Sequence, residues 1–300
     1  MFTVPELAAE ALGSYLAKHM KRRFGSTEAG LTELIPSGAR LALGCIGNSD
    51  ALYHNVEHTM LVTLVGYDIM KGRALLIPTD PSDFAHLLIA CLFHDVGYVR
   101  DLLQGDDLDG HVINANGEKI KLPRGASDAV LLPYHVDRSK LFVIERIGKS
   151  KYLSKYLDAD RISRAIEHTR FPTQFELEDK NNEECLLVRA ADLVGQLGDP
   201  HYLRKVNALY YEFEEAGMNR QLGCASPADL TDQYPQFYWN SISAHIQTAI
   251  RYLNVTSSGL QWVATLYSNV FRAERVLPGP LNNHSAGRAA RGAVVSDVSR

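Results

Sequence analysis

Apolar positions recur along most of the chain with the 3.6-residue period of amphipathic helices, which predicts an all-α fold. The first helix opens near Pro5, a residue suited to a first turn, and runs to about Arg23, just before Gly25. Residues 26–50 read as loop-rich. A second helix is predicted from about Leu52 to Lys71, ending at Gly72. The stretch Pro81–His94 follows, with Ser82 as candidate N-cap. Its centre, AHLLIACLF, is apolar nearly all round and is therefore expected deep in the core. Residues 105–125 break the helical period. There Asn116-Gly117, between two short mixed strands, predicts a small hairpin-like excursion. Helical signals resume near Ala126 and recur at about 137–147, 158–169, 182–198, 200–216, 235–254 and 258–276. A tail rich in Gly, Ser and Arg opens after Pro278 and is expected to be disordered. The expected organisation is a helix and loop over 1–50 packed on a helical domain over 51–277, then the tail over 278–300.

Composition adds bounds to this picture. The chain has 300 residues, 46% of them hydrophobic and 22% charged, enough to bury a sizeable core. The net charge of −4 gives no pull toward a nucleic acid polymer or an anionic membrane. No apolar run reaches the ~18–20 residues that cross a bilayer, and the first residues do not form a secretory leader. The cysteines, Cys45, Cys91, Cys185 and Cys224, show no CxxC spacing and read as reduced thiols of a cytoplasmic protein.

The histidines and certain carboxylates carry the chemistry. In YHNVEH, His54 and His58 stand four apart, which on a helix places them on one face. In FHDVGY, His94 and Asp95 adjoin at the end of the apolar helix, where a charge is costly unless paired or bound to a metal. Asp192 lies in a largely apolar helix, CLLVRAADLVGQL, and should also face inward. His58, His94, Asp95 and Asp192 form a set of two nitrogen and two oxygen donors. Such a set suits a divalent Mn, Fe, Co, Ni, Zn or Mg ion rather than a thiolate zinc site.

The order H…HD…D on helices resembles the HD-domain superfamily of metal-dependent phosphohydrolases. Residues 53–58 are similar to the YHNxxH motif of class I cyclic-nucleotide phosphodiesterases, and residues 189–213 resemble the last metal helix of bacterial HD proteins. The resemblance spans roughly residues 50–215 and implies an HD-domain helical bundle with added C-terminal helices. It implies His58, His94, Asp95 and Asp192 as metal ligands and His54 as general acid toward the leaving oxygen. It further implies His135 and His168 as ligands of a second ion, bridged by Asp95. Tyr98 stands where the phosphodiesterases carry a further histidine, and their glutamine-centred pocket is not recognisable, so a cyclic nucleotide is not the expected substrate.

Arg138, three past His135, and Arg189, three before Asp192, are the candidate phosphate-reading side chains, with Arg170 behind them. Lys119, Lys121 and Arg124 read equally as part of a lid or as a solvated loop. His111, His201, His245 and His284 fit no usable spacing, and the run LYYEFEEAG reads as packing or a homodimer face. The leading expectation is hydrolysis of a phosphate ester, either a nucleotide or another small phosphorylated metabolite, with one or two divalent ions. The ligand pattern also suits a di-iron oxygenase, and a metal-binding regulatory module without turnover is the third reading.

Overall fold

The computed structural model describes residues 3–25, 29–171 and 182–276, and these form an all-α fold with one small hairpin. The tail expected to be disordered lies outside the described residues. Two helices, α1 (Val4–Phe24) and α2 (Ala29–Ile46), pack against each other, and α2 also packs on α4. The central layer is α3 (Val56–Leu76), α4 (Pro81–Phe93), α5 (His135–Val143), α6 (Ala159–Glu167) and α7 (Glu183–Leu197). It is followed by α8 (Tyr202–Glu215), α9 (Met218–Leu222), α10 (Pro227–Phe237), α11 (Gln247–Leu253) and α12 (Ser257–Val276). No helix among the described residues is long and apolar enough to cross a membrane.

The apolar centre of α4 behaves as its pattern predicts. Every residue from Phe84 to Phe93 is buried, and α2, α3, α6 and α7 surround it. Burying a Leu, Ile or Phe side chain is worth roughly 1.5–3 kcal/mol, so Phe84, Leu87, Leu88, Ile89 and Leu92 fix this helix firmly and with it whatever stands at its end. Its N-terminus is capped by Asp80, which accepts from the Ser82 amide at 2.7 Å, rather than by Ser82.

Within the stretch 26–50, Ala29–Ile46 departs from the loop expectation and is helical. Pro36 and the glycines of this stretch suggest a loop, but Leu31, Leu34, Ile35, Ala42, Leu43 and Ile46 form a buried helical stripe, and packing overrides propensity. A single helix over 235–254 is also corrected. The backbone leaves α10 through a π turn at Tyr238–Ile242 and a 3₁₀ turn at Ser243–Ile246 before α11 begins. The hairpin is present, with β1 (His111–Val112) antiparallel to β2 (Lys119–Ile120), His111 opposite Ile120 and Val112 opposite Lys119. Lys119 pairs with Asp107 at 2.6 Å.

Arg138 does not read phosphate; it holds the fold together. Its side chain is fully buried and absent from the cavity described below. Nε donates to the Gly97 carbonyl at 2.8 Å, and Nη2 to the Val99 carbonyl at 2.7 Å and to Asp106 Oδ2 at 2.9 Å. Nη1 donates to the Val112 carbonyl at 2.5 Å and to Asp106 Oδ1 at 3.2 Å. One guanidinium thus ties α5 to the turn after His94-Asp95 and to the hairpin. Burial pushes the Asp106 carboxyl up, but Arg138 and the Leu103 and Val112 amides outweigh it and hold it below its ordinary value. Its folded pKa is depressed, so the pair's contribution is present at neutral pH and is lost as pH falls through the folded value. Arg138→Met should lower unfolding stability at pH 7 by about 3–5 kcal/mol, the cost of orphaning a buried charge, as read by urea titration. A loss below ~1 kcal/mol, in the range of a surface ion pair, would return Arg138 to the list of ligand-binding side chains.

Candidate metal centre

The YHN motif is a helix start. Asn55 is the N-cap of α3, its Oδ1 accepting from the Glu57 and His58 amides at 2.9 and 3.4 Å. His54 therefore precedes the helix, and the capping turn, not a shared helical face, brings its ring to 5.3 Å from that of His58. His58 sits in the first turn of α3, buried. His94 closes α4, and its Nδ1 donates to the Cys91 carbonyl at 2.8 Å, so that in the neutral ring Nε2 is the acceptor and faces inward. Asp95 follows, just before a 3₁₀ turn at Val96–Tyr98. Gly97 is required in that turn, because a Cβ there would meet the His135 carbonyl oxygen at 1.9 Å. Asp192 comes from α7, which approaches α3 closely because Gly195 lies where a Cβ would crowd the Val62 backbone at 2.9 Å.

These elements bring four donors together. His94 Nε2 lies 3.1 Å from Asp95 Oδ2 and 3.5 Å from Asp192 Oδ1. His58 Nε2 lies 3.3 Å from each of the same oxygens and 3.4 Å from His94 Nε2. Donors about 2.1 Å from a divalent first-row ion stand about 3.0 Å apart in an octahedron and about 3.4 Å apart in a tetrahedron. The observed spacings match that range. Asp95 Oδ2 is buried without a hydrogen-bond partner among the described residues, as expected of an oxygen reserved for a cation. His54 also comes within 4.8 Å of the His58 and Asp95 donors, so it could join such a group.

The charge balance points the same way. Asp95 is buried, and Asp192, 18% exposed at its side chain, lines the cavity. Burial pushes both carboxyls up, yet the adjoining His94 and His58 hold both far below the usual carboxylate range. Burial in turn pushes the His94 ring down, but Asp95 and Asp192 raise it well above its ordinary value. Two carboxylates here demand a positive charge, and either a proton on His94 or a divalent cation meets that demand.

His135 and His168 are not equivalent. His135, at the start of α5, donates from Nδ1 to the Leu132 carbonyl and points Nε2 at Asp95 Oδ1, 3.6 Å away. Asp95 thus offers one oxygen to His58 and His94 and the other to His135. His168 lies on the same cavity, but its Nδ1 faces Arg189 Nη2 at 3.3 Å and its carbonyl accepts from Arg189 Nε at 2.7 Å. Arginine can only donate, so in this contact a neutral His168 ring carries its proton on Nε2 and is a donor rather than a ligand. Arg189 also reaches His245 Nδ1 at 3.2 Å. Arg170 lines the cavity with its guanidinium paired to Glu167 and Asp137, at 2.6 and 2.9 Å.

Two further side chains carry the site, Glu212, which its sequence marks only as packing, and Tyr98, which its sequence marks only as standing in place of a histidine. Glu212 of α8, inside the LYYEFEEAG run, is buried, and its Oε2 accepts from His54 Nδ1 at 2.5 Å. Its Oε1 accepts from the Tyr53 and His54 amides, at 2.5 and 3.1 Å. Burial opposes charge on the His54 ring, but Glu212 outweighs it and holds that pKa above its ordinary value. A carboxylate on the buried stripe of Tyr202, Val206 and Leu209 is the signal that could have marked it. Tyr98 stacks between His54 and His135, with centroids 4.7 and 4.6 Å apart and planes 12° and 20° from parallel. His54, Asp95, Tyr98, His135 and Asp192 form one side of a cavity of about 200 Å³.

The fold and this cluster define an all-helical protein with buried His/Asp groups able to hold a metal ion. The chain belongs to the Npun_R2479-like family, whose model matches residues 2–276. No curated protein matches it. Mn²⁺ at about a hundred times its dissociation constant should stabilise the wild-type protein by about 2.7 kcal/mol. Asp192→Asn should remove most of that stabilisation, read as the Mn²⁺-dependent rise in Tm. An equal rise in the variant would place the ion elsewhere.

Proposed function

We propose that this protein is an HD-type metal-dependent phosphohydrolase acting on a small phosphate ester. The observation that supports this reading most is the convergence of His58, His94, Asp95 and Asp192 beside a histidine held by its own carboxylate. These four residues would hold one divalent ion, and His135 with the second Asp95 oxygen would hold another. Bound there, Mn, Fe, Mg, Co, Ni or Zn would supply Lewis acidity toward water and the phosphoryl oxygens.

The chain's own groups supply the rest. Glu212 accepts the Nδ1 proton of His54, so in the protonated ring the second proton sits on Nε2, on the cavity side. Glu212 holds the ring pKa above its ordinary value, which favours the doubly protonated ring that a general acid needs. In hydrolysis a water oxygen forms a bond to phosphorus while the bond from phosphorus to the leaving oxygen breaks. The electron pair stays on the leaving oxygen, which takes the Nε2 proton of His54; water releases one proton to solvent, and the ring is reprotonated from solvent. The products are an alcohol and inorganic phosphate. Arg189, with His168 beside it on the cavity wall, places positive charge near an anionic phosphoryl group. Tyr98 limits ring tilt by stacking on both faces, orienting His54 toward Asp95.

This reading separates leaving groups. His54→Ala should lower kcat on alkyl phosphates by about 10²–10⁴, the span of general acid catalysis, and far less on p-nitrophenyl phosphate, whose leaving group needs no proton. Glu212→Gln removes the charge that raises the His54 pKa, so the alkaline limb of kcat/KM should move to lower pH. Phosphate release and oxygen uptake are measured together. Uptake in step with turnover, or equal loss in His54→Ala on both ester types, would overturn the assignment.

A further inference from the structure

The cavity has two different halves, and they come from different parts of the chain. Its polar half is built from the turn before α3, the turn after α4, the start of α5, the end of α6 and the middle of α7. The other half is contributed by α7, α8, α9 and α10 through Leu193, Leu209, Phe213, Leu222, Leu230 and Phe237, together with Gln196 and Gln233, which Tyr202 and Cys224 already engage. Leu193 and Phe213 line the same cavity as His54, Asp95 and Asp192, so the apolar wall shares one space with the reacting groups. The tyrosines in this half are already engaged. Tyr234 donates to the Leu197 carbonyl at 3.4 Å and Tyr202 is hydrogen-bonded with Gln196. Leu193, Phe213, Leu230 and Phe237 are only partly buried, although each faces a concave site.

We infer that the substrate is a phosphomonoester of an apolar alcohol, its phosphate at the metal end and its hydrocarbon or aryl body against α8–α10. This rests on the hydrolase reading and narrows it. The leaving oxygen lies between the His54 proton and the group it carries away, and that group extends into the part of the cavity lined by α8–α10. A sugar or ribose placed there would bury hydroxyls against Leu and Phe side chains. Each hydroxyl left without a partner costs roughly five- to a hundred-fold in affinity. A methylene placed there instead gains up to about fourfold. The wall therefore selects against nucleotides and sugar phosphates and in favour of amphiphilic esters.

The test uses the full chain loaded with the divalent ion found in it. Ethyl, butyl, hexyl and octyl phosphate are compared with glucose 6-phosphate and a nucleoside monophosphate in kcat/KM, and binding of the matching alkylphosphonates, which cannot be hydrolysed, is measured by calorimetry. Affinity and kcat/KM should rise about threefold per methylene from ethyl to hexyl and exceed both polar esters. Leu222→Gln, at a side chain 41% exposed and so safe for folding, should flatten that rise, and Leu230→Gln should do so more strongly. A chain-length-independent series, or preference for either polar ester, overturns the inference while leaving the hydrolase reading intact. Phosphonate affinity that rises with chain length without turnover of any ester overturns the hydrolase reading and leaves the apolar site standing.

Discussion

Asp95 is the constraint around which the molecule is arranged. Its carboxylate is buried at the end of the most apolar helix of the core, with imidazoles of His58 and His94 on one oxygen and His135 on the other. An uncompensated charge in that place costs several kcal/mol, a large share of the stability of an ordinary domain. The sequence tolerates it by surrounding it with groups able to neutralise it. The same surroundings make the site a receptor for a divalent cation, because a cation satisfies both carboxylates without protonating His94.

Holding that geometry occupies much of the chain. The apolar α4 fixes the direction from which His94 and Asp95 emerge. Arg138 and Ser139 then fasten the next turn, with the Gly97 amide donating to Ser139 Oγ at 2.9 Å and the Gly97 carbonyl accepting from Arg138 at 2.8 Å. On the other side, Glu212 grips the turn that opens α3 through two backbone amides as well as the His54 ring. The catalytic proposal therefore uses parts already needed for folding. Glu212 stabilises the turn and sets the proton of His54, and α8, which carries it, also provides the apolar wall.

What was legible in the sequence was whatever repeats with a helical period or departs conspicuously from it. The polar pair at the end of AHLLIACLF and the aspartate in AADLVGQL stand out because burial makes them expensive, and they meet in space. Long-range pairing was not legible. Glu212 reaches His54 across 158 residues, and Arg138 reaches Gly97 across 41. No local pattern names the partner such a residue will meet, so Glu212, although it falls on the buried stripe of α8, read as packing and Arg138 as a phosphate ligand. Helix α2 was hidden by its proline and glycines. They are tolerated because Gly13 lets α1 approach Pro36 and Gly38 leaves room for Ile89. His245 entered the site through the break between α10 and α11, a feature that periodicity cannot reveal.

The most direct test of the central claim counts protons. Divalent-ion binding to chelator-treated protein is followed by calorimetry in buffers of different ionisation enthalpy. If Asp95 and Asp192 hold a proton on His94 in place of a cation, binding near neutral pH should release about one proton per ion bound at this cluster. Asp95→Asn should abolish both the binding and the release. Binding that releases no proton, or that survives Asp95→Asn unchanged, would contradict the account of Asp95 as the centre of a cation site.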